Sequence, residues 1–421
     1  MNSSPTLAQE TVSAEALALP STRSKRRWPV RALGFLFGWG WRILAGAALC
    51  FNFFVLSYLT SIAVLGWLMR WMQTSVVRGW WKQSRLGGVG TFQDFCASLD
   101  TASPSPRPRW LWRDRTPLPS GERGRGEGLF QRGLRLLTAP FASLVLNFKL
   151  GLQGLFCVYL VTGIGCLVML MSWEYGWLNS FNRHYEQFYI GPAFGIFGSG
   201  LFILAMFYVP MAQAHQAVTG EARAFFHFRF VWSLIRARLT VYLGLALLTA
   251  LASMIFEGLR LAVVSDNFPG NLETVTAAEG LDFLRRYLFF CSVGLFVTLL
   301  LLKAVTAAIY RSAVLKVLRQ GTVRREELHP LLARWLEKLD LLPVPVAITP
   351  GLVRAVRATG GWGMRRVLFT GLFLVWMLFL VRFYIGYFLA ANPYLAFLNH
   401  PLVQLPCIDF TPVDLAAEAQ P

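Results

Sequence analysis

Acidic residues are scarce in this chain of 421 residues. It has 22 Asp and Glu against 40 Lys and Arg, which gives a formal net charge of +18. Only one acid, Glu257, falls inside an apolar run. Ion-coupled transport usually needs a carboxylate deep in the membrane. The scarcity of acids therefore argues against a proton-coupled transporter, although it leaves a passive or polar-lined pathway open.

Catalytic and metal-binding motifs are also missing. The six cysteines follow no metal-ligand spacing, and the chain has neither an H-E-x-x-H nor a G-x-S-x-G motif. The nearest approach to a ligand pair is His184 with Glu186, which has no second His or Cys nearby and is better explained as a surface pair. The sequence thus predicts a protein that is not an enzyme and that has no cofactor and no metal site.

Apolar residues, in contrast, are abundant. Hydrophobic residues make up 55% of the chain and charged residues only 15%, which is too apolar for a soluble protein of this length. A polytopic membrane protein needs this composition, because each span must satisfy its backbone in a helix and present apolar side chains to lipid. The basic residues gather in a few connectors between apolar runs, where the positive-inside rule places them. We therefore expect a lipid bilayer with anionic headgroups as the partner, together with membrane proteins, and no nucleic acid.

The apolar runs predict an all-α fold, a polytopic integral membrane helical bundle of about six transmembrane helices with amphipathic interfacial helices. The predicted spans cover about 43–69, 152–172, 190–210, 239–264, 287–310 and 367–390. The predicted domains begin with a disordered basic tail at 1–33, a first apolar segment at 34–69 and a basic cytoplasmic loop with a disordered Pro/Arg/Gly-rich linker at 70–138. A four-span membrane core at 139–310 follows. The rest of the chain is a second basic cytoplasmic loop with amphipathic helices at 311–366, a last span at 367–390 and a C-terminal tail at 391–421.

The charge distribution also predicts how the chain is threaded. The connectors 70–140, 211–238 and 311–366 are rich in Lys and Arg, so we expect them on the cytoplasmic side of a bacterial inner membrane. Six spans would then leave the basic N-terminus outside, which conflicts with the rule. Either the segment 34–69 turns back on itself or one basic cluster breaks the rule, and the sequence does not decide between them.

Residues 202–238 suggest a membrane helix, a surface elbow and a second membrane helix. From Arg223 on, a helical wheel places aromatic and aliphatic residues on one face and basic residues mostly on the other. The apolar face comprises Phe225, Phe228, Val231, Trp232 and Ile235. The arginines expected to contact lipid headgroups are Arg223, Arg229, Arg236 and Arg238. The alternative is a linker helix buried in the bundle.

Few ionisable residues lie inside the predicted spans. Glu257 and Arg382 both fall near the outer boundary, where an ion pair between their helices is one hypothesis. The alternative is a local contact between Glu257 and Arg260, one turn further along, with side chains that extend toward the boundary.

The elbow carries a resemblance to a known family. The segment PMAQAHQAVTGEARAFFHFRFVWSLIRAR, running into VYLGLALLTALASMIF, resembles a bacterial family of multi-span membrane proteins known only as a domain of unknown function. The positions that carry it are Pro210, Gly220, Phe225, Phe228 and Arg236. The resemblance covers about the middle third of the chain and implies a helical membrane architecture and no known activity. The Arg/Gly-rich insert departs from the family pattern.

Three functions follow from these patterns, in decreasing order of support. The first is a non-enzymatic membrane protein that organises lipids or partner proteins. The second is a channel or permease for a small solute, which a polar-lined cavity reaching mid-membrane would favour. The third is a membrane enzyme that acts on lipid, which a cluster of His and acids at the headgroup level would favour.

Overall fold

A computed structural model of the chain describes residues 37–46, 54–88, 91–97, 129–172, 190–265, 277–342 and 361–375. Within these ranges every regular element is a helix, so the predicted all-α class is confirmed. The predicted tail at 1–33, the Pro/Arg/Gly-rich linker and the C-terminal tail at 391–421 lie outside the described residues.

Ten α-helices are described. They are α1 at 37–46, α2 at Phe54–Gln83, α3 at Phe92–Ala97, α4 at Leu129–Met171, α5 at Ile190–Thr219, α6 at Phe228–Ala237, α7 at Leu239–Ser265, α8 at Ala277–Arg319, α9 at Pro330–Lys338 and α10 at 361–375. Short 3-10 helices at Arg85–Gly88, Ala222–Phe226 and Arg325–Glu327 lie between them.

The chain divides into two compact units, residues 1–45 and 46–421. In the first unit, helix α1 places the guanidinium carbon of Arg42 5.3 Å from the centre of the Trp39 ring. This is a cation–π contact within one helical turn. All the other helices belong to the second unit.

Three helical segments are long and apolar enough to cross a membrane, namely Phe141–Met169, Ala193–Thr219 and Val293–Arg319. A fourth is reached if α6 and the start of α7, which meet at 98°, are taken as one broken span. These apolar helices indicate a membrane protein. The three segments overlap the predicted second, third and fifth spans, whereas the predicted first and sixth spans lie partly outside the described residues.

Helix α4 lies between α2 and α5, and glycines bring the backbones together at both crossings. At Gly66 and Gly151 a side chain would collide with the backbone of the facing helix, at Asn147 and Ile62 respectively. At the second crossing, a Cβ on Gly165 would lie 2.6 Å from the backbone nitrogen of Phe202 in α5. Small residues at helix crossings of this kind allow close packing in membranes.

Glycines on α5 contribute to this second crossing. A Cβ on Gly198 would lie 2.9 Å from the backbone nitrogen of Met169 in α4, and Gly195, three residues earlier, is also buried. Gly191 lies in the first turn of the same helix.

The main hydrophobic core lies around the segment that joins α5 to α7, and we call it the elbow core. It contains buried residues from all the helices between α2 and α9, including Met72, Val76, Trp80, Met211, Val218, Phe225, Val231, Leu234, Ile235, Tyr242, Tyr310, Val314, Leu332 and Trp335. The outer faces of α4 and α5 are instead exposed and apolar. On α4 they form a stripe at helical spacing, consisting of Leu152, Phe156, Leu160 and Ile164.

Three helices continue well beyond the predicted C-terminal ends of their spans. Helix α2 continues past Arg70 to Gln83, α5 past Pro210 to Thr219, and α8 past Tyr310 to Arg319. A charged residue or a proline marks the expected end of each apolar run, but the helices stay regular because the elbow core buries their extensions. Trp80 is fully buried there and donates its indole N–H to the Arg311 carbonyl oxygen at 3.3 Å.

Pro210 lies inside α5 rather than at its end. Proline has no N–H and its ring crowds the preceding turn, so it disturbs the hydrogen bonds of that turn. The Tyr242 hydroxyl of α7 donates to the Phe207 carbonyl oxygen in this turn at 2.5 Å. A neighbouring helix thus supplies a donor to the turn that the proline disturbs.

Candidate functional site

The segment between α5 and α7 is an elbow, which we define as residues 220–238. Gly220 ends α5 with a φ of 77°, a left-handed conformation that glycine adopts readily, and its N–H donates to the Gln216 carbonyl oxygen at 2.8 Å. The 3-10 helix Ala222–Phe226 follows, then α6, and one residue later α7 departs at 98°. If α7 crosses a membrane, α6 lies close to the plane of that membrane.

The predicted single helix from Arg223 to Arg238 is therefore two pieces that break at His227. The break separates the faces of residues before Phe228 from those of α6. Phe225, Val231 and Ile235 of the predicted apolar face are buried in the elbow core, whereas Phe228 and Trp232 of the same face remain 49% and 36% exposed.

One face of α6 is fixed to the bundle. Val231, Leu234 and Ile235 are fully buried in the elbow core, as the buried-linker alternative requires. At the last turn, the Lys316 ammonium of α8 donates to the Ala237 carbonyl oxygen at 2.6 Å, which provides a positive charge at the negative end of the helix dipole. The opposite face carries Arg229 and Arg236, which are exposed, as the interfacial prediction requires.

The exposed aromatic residues of α6 pack sideways onto α5. The Phe228 ring stacks on Tyr208 with 5.2 Å between ring centres, and Trp232 lies 6.2 Å from Phe207. The Tyr208 hydroxyl in turn donates to the Phe225 carbonyl oxygen. These contacts hold the aromatic edge of α6 beside the apolar part of α5.

A chain of hydrogen bonds runs from the elbow core to the surface. The Nδ1 atom of His215 lies 2.9 Å from the hydroxyl of the fully buried Tyr310, and its Nε2 atom lies 3.3 Å from Nδ1 of His227, which is exposed. Both ring nitrogens of the buried His215 are therefore satisfied, one by α8 and one by the elbow.

A second contact ties the elbow to α9. The Leu331 N–H donates to Nδ1 of His329 at 3.3 Å, which makes His329 the N-cap of α9. Because Nδ1 accepts, the proton of the neutral ring sits on Nε2, and this atom lies 3.2 Å from the Glu221 carboxylate. One side chain thus both starts α9 and holds the beginning of the elbow.

Buried polar pairs join the long helices below the elbow. Arg70 of α2 donates to the Asn147 side-chain oxygen of α4 at 3.0 Å, and Gln73 donates to the Val218 carbonyl oxygen of α5 at 3.0 Å. Lys303 of α8 donates to the Gln213 side-chain oxygen, so this ammonium binds a neighbouring helix instead of extending to a boundary.

The four arginines predicted to contact headgroups all lie on the elbow, but they differ in how exposed their side chains are. Arg223, Arg229 and Arg236 are exposed, while Arg238 is half-buried and its Nε has no hydrogen-bond partner among the described residues.

The predicted intramembrane ion pair falls where little is described. Glu257 and Arg260 belong to the backbone of α7, but their side chains lie outside the described residues, as does the whole of Arg382. The pair between Glu257 and Arg382 and its local alternative both stay predictions.

Sequence reasoning missed the polar residues that α5 buries. Gln213, His215, Gln216 and Thr219 follow the predicted end of the third span at residue 210, yet all are at least 93% buried. A signal was present, since Gln213, Gln216 and Thr219 recur every three residues, which is helical spacing. Within the described ranges, no group of three or more His, Cys, Asp and Glu residues could hold a metal ion.

Two pockets illustrate the contrast between the inside and the outside of the elbow. The first is a small apolar gap of about 20 Å³ between α5, α7 and α10, with Pro210, Tyr242 and Leu372 among its lining residues. The second is an open cleft of about 610 Å³ between the outer face of α6 and the end of α8. The arrangement offers cationic and aromatic surface on a helix that is packed against the bundle.

Comparison with known proteins identifies no related protein: no family model matches the chain, and neither a curated protein nor a solved structure is similar to it.

Proposed function

We propose that this protein is a six-span protein of a bacterial inner membrane that organises lipids or partner proteins and does not catalyse a reaction. In this proposal the connectors 70–138, 211–238 and 311–366 face the cytoplasm, and the elbow binds the anionic lipid leaflet. The resemblance to a bacterial family of unknown function, carried by Gly220, Phe225 and Arg236, is part of the proposal.

The observation that carries the proposal is the two-sided build of α6. Its inner face is packed on the bundle by Val231, Leu234 and Ile235, and its outer face presents Arg229 and Arg236. A helix that lies at 98° to the next apolar helix, with cations beside aromatic side chains, has the features of a helix at the membrane interface. Each Lys or Arg near an anionic membrane surface contributes about 1 kcal/mol to binding.

A channel or permease is the second candidate, and the buried polar pairs are the observation that favours it. Arg70, Gln73, Gln213 and Lys303 lie in long helices, where a polar pathway would need them. Their hydrogen bonds, however, go to other side chains and to backbone, and the apolar gap of about 20 Å³ is too small for a solute path. Solute flux through proteoliposomes that contain the protein would favour this candidate.

The test of the main proposal is extraction of the protein from native membranes in polymer-bounded lipid discs, followed by mass spectrometry of the lipids and proteins retained. We expect anionic lipids to be enriched relative to the bulk membrane. The fourfold variant R223A/R229A/R236A/R238A is expected to lose this enrichment. Retention of lipid in bulk proportions, with no protein partner, would overturn the proposal.

A further inference from the structure

The open cleft beside α6 has the composition of a binding site. It is about 610 Å³ in volume, and its lining contains no acidic residue. The lining residues are Phe228, Arg229, Trp232, Ser233, Arg236 and Ala237 of α6, with Val317, Gln320 and Thr322 from the end of α8.

The cationic part of the cleft follows from helical spacing. Arg229, Ser233 and Arg236 stand at i, i+4 and i+7 on α6, so they form one stripe on the face opposite Val231 and Leu234. Since the buried face fixes the rotation of the helix, both guanidinium groups are held on the cleft side.

These two arginines have no counter-charge in the described part of the protein. Neither forms an ion pair there, and both are exposed. The guanidinium fork matches the geometry of a phosphate group and binds it through two parallel hydrogen bonds. Gln320 and Thr322, on the opposite wall, add neutral hydrogen-bond donors.

The remaining wall of the cleft is aromatic. Phe228 and Trp232 adjoin the arginine stripe and pack against Tyr208 and Phe207 of α5. Both α5 residues belong to the apolar segment that can cross a membrane. A ligand in this cleft therefore meets cations on one side and apolar rings on the membrane side, which is an arrangement for an amphiphile.

We propose that the cleft between α6 and the end of α8 binds the phosphate-bearing headgroup of an anionic glycerophospholipid, with Arg229 and Arg236 as its phosphate ligands. This inference rests on the proposed function, because it assumes that α6 lies at a membrane surface. It adds a discrete, saturable site to what would otherwise be general attraction to a charged leaflet.

The experiment is native mass spectrometry of the full chain in detergent, titrated with phosphatidylglycerol and, separately, with zwitterionic phosphatidylcholine. We expect phosphatidylglycerol to bind saturably and at least about tenfold more tightly than phosphatidylcholine. Both lipids carry a phosphate, but the choline cation of phosphatidylcholine is repelled by the two guanidinium groups. The variant R229A/R236A is expected to lose this preference. The matched control is R223A, which removes an exposed elbow arginine that does not line the cleft.

Each other outcome counts against the site. If R223A weakened the binding of phosphatidylglycerol as much as R229A or R236A alone, the arginines would act through general attraction to the leaflet. That result would overturn the site and leave the proposed function standing. Equal affinity for the two lipids overturns the site as well. Displacement of phosphatidylglycerol by inorganic phosphate at similar concentration would identify a soluble-phosphate site instead of a lipid site. Because both arginines are exposed, unchanged thermal unfolding of R229A/R236A serves to exclude misfolding.

Discussion

The elbow core and the outer face of α4 are built from similar residues but are stabilised differently. In the elbow core Trp80, Tyr310 and Trp335 are fully buried, whereas Phe156 and Ile164 of α4 are each 64% exposed. Apolar side chains that leave water stabilise a fold, but those that move between lipid and protein gain little, because lipid tails are equally apolar. Around α4, close backbone contact at glycines therefore has to provide the stabilisation that side-chain burial provides in the elbow core.

The largest effect expected from this comparison is at Trp335. The variant W335A leaves a cavity in the elbow core and should lower the free energy of unfolding by about 3–5 kcal/mol. Its counterpart F156A removes an exposed aromatic ring from α4 and should change that free energy by less than about 0.5 kcal/mol. Unfolding in mild detergent, followed by circular dichroism, gives both values, and similar losses would show that the two regions are not stabilised differently.

A smaller effect is expected at the crossing of α2 and α4. The side chain in G151V would collide with the Ile62 carbonyl and force the helices apart, at a cost of about 1–3 kcal/mol. The control is G163V on the same helix, where a Cβ meets nothing within 4 Å. Thermal stability in detergent, measured by size-exclusion chromatography after heating, should fall for G151V alone. Equal tolerance of both changes would refute the role given to close backbone contact.

The smallest effect is expected from a single directional bond within the elbow core. The variant Y310F keeps the ring that packs against Trp80 but removes the hydroxyl that bonds His215, so it should cost about 1 kcal/mol. A double-mutant cycle with H215A measures the coupling between the two side chains. If the two changes were additive, the hydrogen bond would make no contribution to stability.

The sequence predicted the helical class and much of the membrane core, because these depend on local signals. The run of apolar residues in α8 and the Pro330 start of α9 can be recognised without knowledge of any neighbour. The buried residues of α9, Leu332, Trp335 and Leu336, lie at helical spacing, so this face can also be recognised in the sequence.

The ends of the spans could not be predicted in the same way. An arginine or a proline normally marks the boundary of an apolar helix. Here, however, the buried Arg70 donates a hydrogen bond to Asn147, which lies 77 residues away in the chain. The disturbed turn before Pro210 likewise receives its donor from Tyr242 of another helix. A single sequence does not show which distant residue will provide such a partner.

The sequence identified the arginines of the candidate site but not the shape of the surface that they form. The elbow arginines were identified from a helical wheel that begins at Arg223, but the break at His227 puts Arg223 on a different element from Arg229 and Arg236. The cleft could not be foreseen, because Gln320 and Thr322 come from the end of α8 and only the folded bundle brings them beside Arg229.

The right angle between α6 and α7 has a mechanical consequence. A transmembrane helix usually accommodates a thinner or thicker bilayer by tilting. Here a tilt of about 10° in α7 would move the far end of α6, roughly 15 Å away at 1.5 Å per residue, by about 2.6 Å along the membrane normal. The packing of Val231 and Ile235 opposes that displacement, so where α7 spans the bilayer the surrounding lipid has to stretch or compress to match the protein.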